Sequence, residues 1–287
     1  MTRPRVGLFA TCLVDFFRPA IGFATAQLLE SAGCEVVVPP TQTCCGQPAW
    51  NSGDRAGARA LALGLLDAFA DCDVVVAPSG SCIGMLRQFP DVLGSTDARR
   101  ADAEALAARA FELSEYLVEH RGFAPQALPD PGTVTYHDSC AGLRECGIKA
   151  QPRALLAAAG VTVQEMDEAE VCCGFGGTFC VKYPDISAAM VDDKLDSIAR
   201  SAAPVVVGGD LGCLLNIAGR LTRQGHPVRA RHLAEVLVDD AGPALGQGLD
   251  EGPDEGPDEG SGRQPHSAPI TTLGDEPSAV PAQESPR

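Results

Sequence analysis

The chain has 287 residues, 45% hydrophobic and 21% charged, a globular balance long enough for two ordinary domains or one large one. Its net charge of −16 comes with no basic stripe, which argues against a phosphate-neutralising nucleic-acid binder and reads as a solubilising surface. Apolar runs such as 74–78 and 205–207 are far too short to span a bilayer, so no transmembrane segment is expected.

Taken in chain order, a short apolar strand at 6–10 ends in a loop at Thr11-Cys12. A helix over about 17–32 stops at Gly33, and a β-branched strand at 35–38 is closed by Pro39-Pro40. An Ala-rich helix covers about 54–70, and the buried-type strand 74–77 is bounded by Pro78-Ser-Gly. A helix over about 100–120 leads to a Pro-rich junction at 125–131. The pattern then restarts: strand 134–137, helix 152–159 ending at Gly160, strand 161–164, helix 186–199, and strand 205–207 before a Gly-Gly turn.

Residues 241–287 contain nine acids, two bases and a Gly-Pro-Asp-Glu repeat with few large apolar residues, too little to offset backbone entropy. The expected fold class is therefore α/β: two tandem, duplicated parallel-sheet cysteine-rich units with helices covering the sheets, plus a disordered acidic C-terminal tail. The units are expected at 1–124 and 125–240, and the tail at 241–287.

The duplication is read from the cysteines. Cys12 lies 32 positions before Cys44, and Cys140 lies 32 before Cys172. Each second position opens the same triplet, Cys44-Cys45-Gly46 and Cys172-Cys173-Gly174, and each triplet is followed by a triple-Val strand and a single Cys, Cys82 or Cys213. Loops leaving the carboxyl ends of parallel strands converge on one sheet edge, so each half can gather four sulfurs. Four thiolates without a cation repel one another and burial raises their pKa; bound zinc or an iron–sulfur cluster resolves this. Adjacent cysteines strain around one small tetrahedral ion, which favours a cluster. Cys12, Cys44, Cys45, Cys82, Cys140, Cys172, Cys173 and Cys213 are the expected iron ligands.

Among the remaining candidates, His137 beside Cys140 is placed to relay a proton or bond a sulfur, or else to anchor its loop with Asp138. Arg144 suits a carboxylate or a cluster charge, with a solvated helix position as the plain reading. Asp15 and Asn51 are weaker candidates of this kind. Cys34 and Cys72 read as small buried residues, Cys146 as a core residue of a helix, and Cys180, which has no counterpart in the first half, as a lesser candidate for a ligand or redox thiol.

The two Cys-Cys-Gly repeats resemble the cysteine-rich domain of heterodisulfide reductase and of the glycolate oxidase iron–sulfur subunit. More closely, Thr11-Cys-Leu-Val-Asp15, Gln42-Thr-Cys-Cys-Gly-Gln-Pro-Ala-Trp-Asn-Ser-Gly53, Ala77-Pro-Ser-Gly-Ser-Cys82, Tyr136-His-Asp-Ser-Cys140, Cys172-Cys-Gly-Phe-Gly-Gly-Thr-Phe179 and Ile186-Ser-Ala-Ala-Met-Val-Asp-Asp-Lys-Leu195 resemble the lactate utilization protein A family, over about 5–238. The resemblance implies an iron–sulfur subunit, with one or two clusters of [4Fe-4S] type per chain, of a multi-subunit system oxidising L-lactate or a related 2-hydroxy acid. A second iron–sulfur subunit and a third small subunit are the implied partners, and lactate-to-pyruvate oxidation belongs to the assembly. In the heterodisulfide reductase pattern each unit ends in CxxC; here Ser79 and Asp210 stand at the first of those positions and are the expected fifth ligands.

Two other readings compete. A zinc-stabilised scaffold would use the same cysteines structurally, but a clean C-x2-C…C-x2-C spacing is missing. A thiol–disulfide oxidoreductase would need a C-x-x-C motif, which is also missing. The start of the chain imitates a signal peptide only faintly, since Asp15 and Arg18 cut its apolar region, so a reducing cytoplasm is the expected compartment.

Overall fold

β-Branched runs form the inner strands of two sheets in the computed structural model, which describes residues 3–239 together with Gly242 and Leu245. The first sheet holds β1 (Arg5–Leu8), β2 (Glu35–Val37), β3 (Val74–Ala77) and β4 (Ala110–Glu112) in the order β2-β1-β3-β4. The second holds β5 (Thr133–His137), β6 (Thr162–Val163), β7 (Val205–Gly208) and β8 (Arg229–His232) in the order β6-β5-β7-β8. Every pairing is parallel, with Gly7 opposite Val75 in the first sheet and Thr135 opposite Val206 in the second. The duplicated parallel-sheet architecture expected from the repeat is thus present.

Alternation along the strands builds two cores. Val6, Leu8 and Val76 point into a core shared with Val134, Val206 and Leu214 of the second half. Phe9, Val75 and Ala77 point the other way, against Leu65, Phe69 and Leu86. Each such large apolar side chain contributes about 1.5–3 kcal/mol on burial. One core spans both halves, and the described residues belong to one compact unit.

Two strands depart from expectation. The expected helix over about 100–120 is three elements: the helix Arg100–Ala107, then β4, then a capped turn running into the π-helix Tyr116–His120. β4 is only three residues long, and its Glu112 is buried, so neither length nor polarity marks it as a strand; pairing with β3 makes it one. β8, with two Arg and a His in four residues, is hidden for the same reason. The expected helix at 17–32 is present as Pro19–Ser31, with Pro19 in its first turn where a missing donor costs nothing, and a further short helix, Cys12–Phe17, precedes it. Most of the expected tail at 241–287 lies outside the described residues. Leu245 within it is buried and pairs antiparallel with Ala230.

The halves meet around a close helix crossing. The helix Gly80–Arg87 packs on the helix Cys140–Glu145, and a Cβ at Gly80 would lie 2.7 Å from the Gly142 Cα and 2.9 Å from its amide nitrogen. Arg18 ties the first half to the second through the fully buried Glu235 carboxylate at 2.6 Å. Because backbone rather than a movable side chain would meet the added methyl, Gly80→Ala is expected to lower stability by about 1–3 kcal/mol, read as a lower urea midpoint at unchanged slope. A midpoint equal to that of the parent would show that the crossing yields without cost.

Candidate metal centres

Strand order places the cysteines. Each sheet reverses its direction of winding between its two central strands, β1 and β3 or β5 and β7, and the crevice beyond their carboxyl ends is where open α/β sheets bind ligands. Cys12 follows β1 at the start of the helix Cys12–Phe17, and Cys82 lies in the first turn of the helix Gly80–Arg87 after β3. Cys44 and Cys45 enter from the loop after β2. Gln42 holds that loop to the end of β1, accepting from the Ala10 amide at 2.9 Å and donating to the Leu8 carbonyl at 3.2 Å. Gly46 and Gly174 both adopt the left-handed backbone, φ 87° and 84°, which turns each cysteine pair back toward its crevice. At Gly174 any side chain would also strike the Ser187 carbonyl, 2.7 Å from its Cβ position.

All eight expected cysteines are brought together, four per half. The Cys12 and Cys44 sulfurs are 3.8 Å apart, and Cys45 interacts with both Cys44 and Cys82. Cys172 interacts with Cys140 and Cys173, and Cys173 with Cys213. Thiol donation from Cys12 and then Cys45 holds Cys44 well below the ordinary thiol range, while Cys12 and Cys45 are pushed up by that same bonding to Cys44 and then by further contact or burial. The second half repeats this: Cys172 is drawn down by Cys140 and Cys173, with the Gly174 amide donating to its sulfur at 3.4 Å. Each half therefore favours one thiolate among protonated neighbours. That is the behaviour of a donor set short of a cation, and it suits a thiophilic metal or an iron–sulfur cluster.

The expected fifth donors, Ser79 and Asp210, face each other across the halves. Ser79 Oγ donates to Asp210 Oδ2 at 3.3 Å, which also accepts from the Ser81 amide at 3.0 Å. Ser79 and Asp210 also cap the helices that carry Cys82 and Cys213. His137 turns toward the second set: one ring nitrogen and the sulfurs of Cys173 and Cys213 lie within 4.8 Å of one another. Burial holds this imidazole neutral, its pKa lowered to about 3. Asp138 performs the loop-anchoring task, with both carboxylate oxygens accepting from Arg153 at 2.9 Å. Arg144 is exposed on the last turn of the helix Cys140–Glu145; Asp15 and Asn51 are exposed too.

Cys34 and Cys72 are buried. Cys146 sits just beyond the helix Cys140–Glu145, rather than within it, because the helix ends one residue earlier; it donates to the Gly80 carbonyl at 3.5 Å, and burial pushes its thiol up to about 12. Cys180 bonds the Gly177 carbonyl at 3.2 Å. Lys194 is a site residue that the cysteine pattern does not single out. It is 1% exposed, bonds the Glu168 carbonyl, and interacts with Cys173, Cys172 and Cys213. Helical spacing carries a signal for it, since Lys194 shares a face with the buried Val191, Leu195 and Ile198.

A cavity of about 210 Å³ opens beside the first set, lined by Cys12, Cys44, Cys82, Phe175, Val181 and Leu211, so second-half residues roof the first-half site. A second cavity, of about 470 Å³, shares Cys12 and Cys44 with it and is further lined by Asp15, Phe16 and Val38.

Fold and site together define a duplicated cysteine-rich-domain protein, and the chain matches the family model described as "CCG: Cysteine-rich domain" over residues 6–87 and 134–218. It is 46% identical to a lactate utilization protein A of Exiguobacterium over 82% of this chain and 97% of that protein, and 45% identical to one of Geobacillus kaustophilus over 81% and 98%. The chain belongs to the lactate utilization protein A family. A hypothetical protein from Helicobacter pylori shares the fold, with a TM-score of 0.60 at 10% identity over 86% of this chain; the match spans about half of that longer chain, 51%.

Removing Arg153 leaves the buried Asp138 carboxylate unpaired, so Arg153→Met is expected to destabilise by about 3 kcal/mol in thermal or urea unfolding. A change below about 0.5 kcal/mol would remove the pair from the account of the Cys140 loop. Burial also raises the Glu112 carboxyl to about 7 from 4.5, so the folded chain holds a proton there that the unfolded chain has released. The resulting stabilisation is full below pH 4.5 and is lost as pH rises through 7. Glu112→Gln is expected to flatten the stability–pH curve across that window, and parallel curves for variant and parent would refute the assignment.

Proposed function

We propose that the chain is the iron–sulfur electron-transfer subunit of a multi-subunit system that oxidises L-lactate, or a related 2-hydroxy acid, to pyruvate in the cytoplasm. The observation that carries this reading is the pair of four-thiol sets at the two sheet crevices, in a chain whose relatives are named for lactate utilization. Bound [4Fe-4S] clusters, one per half, would supply one-electron exchange between substrate oxidation and an acceptor.

The chain's own residues hold and shield those groups. Cys12, Cys44, Cys45 and Cys82 ligate in the first half, and Cys140, Cys172, Cys173 and Cys213 in the second. The first turns of the helices Gly80–Arg87 and Leu211–Arg223 carry Cys82 and Cys213, where the helix dipole favours an anionic sulfur. The partners are a second iron–sulfur subunit and a third small subunit. Exposed Phe16, Val38 and Val181 beside the first-half cavities give such a partner an apolar seat near the cysteines. No helix among the described residues is long and apolar enough to cross a membrane.

Iron, sulfide and zinc analysis of anaerobically purified chain, with EPR before and after dithionite, tests the reading. Iron and sulfide near about four or eight per chain with a reducible signal are expected. The double substitution Cys172→Ala and Cys173→Ala should remove the second-half share alone. Stoichiometric zinc without iron would replace the electron-transfer reading with a zinc-stabilised scaffold.

A further inference from the structure

The two halves are related closely enough for their differences to be located residue by residue. Gly7 pairs with Val75 as Thr135 pairs with Val206, and the Phe9 amide continues the first ladder by donating to Val76. Counting onward from Gly7 and Thr135, His137 occupies the place of Phe9. The helices behind the triplets give a second correspondence. The Cβ position of Gly46 contacts Ala58 and Leu61, and that of Gly174 contacts Ser187 and Met190. Along the uninterrupted helices Arg55–Ala68 and Pro184–Arg200, the buried counterpart of Leu65 is therefore Lys194.

So where the first set of sulfurs is backed by Phe9 and Leu65, the second is backed by an imidazole and an ammonium, all four side chains being 0–1% exposed. Neither His137 ring nitrogen makes a hydrogen bond among the described residues. Its neighbour, the Ala169 carbonyl, accepts from the Asp138 amide at 3.1 Å and acts on the ring as well, which accounts for one ring nitrogen at most and leaves the other without a protein partner among the described residues. A buried imidazole without partners costs roughly 1–3 kcal/mol per polar group, which a bonded partner would offset. The only other oxygen donor expected in this half, Asp210, has its carboxylate occupied by Ser79, Ser81 and Gly212.

We infer that His137 is a nitrogen donor to the second-half metal centre, joining Cys173 and Cys213, so that the two halves hold chemically unequal centres: all-sulfur in the first, mixed nitrogen and sulfur in the second. The inference rests on the metal-centre reading proposed above. The Ala169 carbonyl, which interacts with the ring, stands where a metal-bound histidine directs its second nitrogen. A neutral nitrogen donor beside a buried ammonium stabilises the reduced form of a metal centre relative to an all-thiolate one.

The full chain is loaded anaerobically with ferrous iron and sulfide, reduced, and studied by pulsed EPR with natural-abundance and 15N-histidine label. A directly bonded nitrogen coupling that changes isotope with the label, and disappears in His137→Phe while iron content is kept, is the expected result. Phe is the first half's own residue at this place, and the labelled parent needs no substitution at all. Iron in both halves with no histidine coupling, or a coupling unchanged in His137→Phe, would overturn the assignment. A chain that takes up no iron would instead defeat the electron-transfer reading. Cobalt(II) titration then decides the donor separately: affinity weakened about tenfold or more in His137→Phe supports it, and equal affinity overturns it.

Discussion

Mutual repulsion among four sulfurs held at one sheet edge governs this molecule. Thiols so close cannot all ionise, and Cys45, Cys173 and Cys213 are buried besides. The protein by itself reaches a compromise in each half: one thiolate, Cys44 or Cys172, accepts from its neighbours, while the thiols bonded to it, Cys12 and Cys45 or Cys140 and Cys173, keep their protons. The left-handed glycines, the Gln42 tether and the Asp138–Arg153 clamp maintain a geometry that the sulfurs alone would not keep. Binding a cation there would release protons, so the same contacts that fold the loops would also set the affinity for it and its dependence on pH.

Duplication supplies the second constraint. Neither half has a closed core of its own on the inner side: Val6, Leu8 and Val76 share one with Val134, Val206 and Leu214. The polar contacts between halves are of the kind that fix register, namely Ser79 against Asp210, the His232 imidazole on the Pro78 carbonyl at 3.2 Å, and Arg18 on Glu235. Phe175, from the second half's glycine-rich loop, and Val181, from the short helix Phe179–Lys182 that follows it, roof the first half's cysteines. Each half thus shapes the other's site.

The same duplication makes the departures from symmetry informative. Evenly repeated sulfurs stand before unequal backgrounds, Phe9 and Leu65 in one half and His137 and Lys194 in the other. Burying an ammonium and an imidazole is unfavourable for folding unless a compensating charge or donor set stands beside them. The second-half cysteines are that set, since Cys173, Cys172 and Cys213 all act on Lys194.

Local signals in the chain determined the inner strands and the count of donors. Triple-Val runs, triplets spaced 32 residues from their leading cysteines and the Gly stops made the repeat, the parallel α/β units and the eight clustered cysteines legible. β4 and β8 were not legible, because three or four residues carrying Glu112 or His232 become strands only when β3 or β7 supplies the pairing. Nor could spacing tell which way His137 turns, that Ser79 would meet Asp210, or that Lys194 would be buried against sulfur. Those outcomes depend on how two distant helices cross at Gly80 and Gly142 and on which faces the shared core consumes. Periodicity and donor chemistry are properties of neighbouring residues; the pairing of residues 131 positions apart exists only once the two sheets have packed.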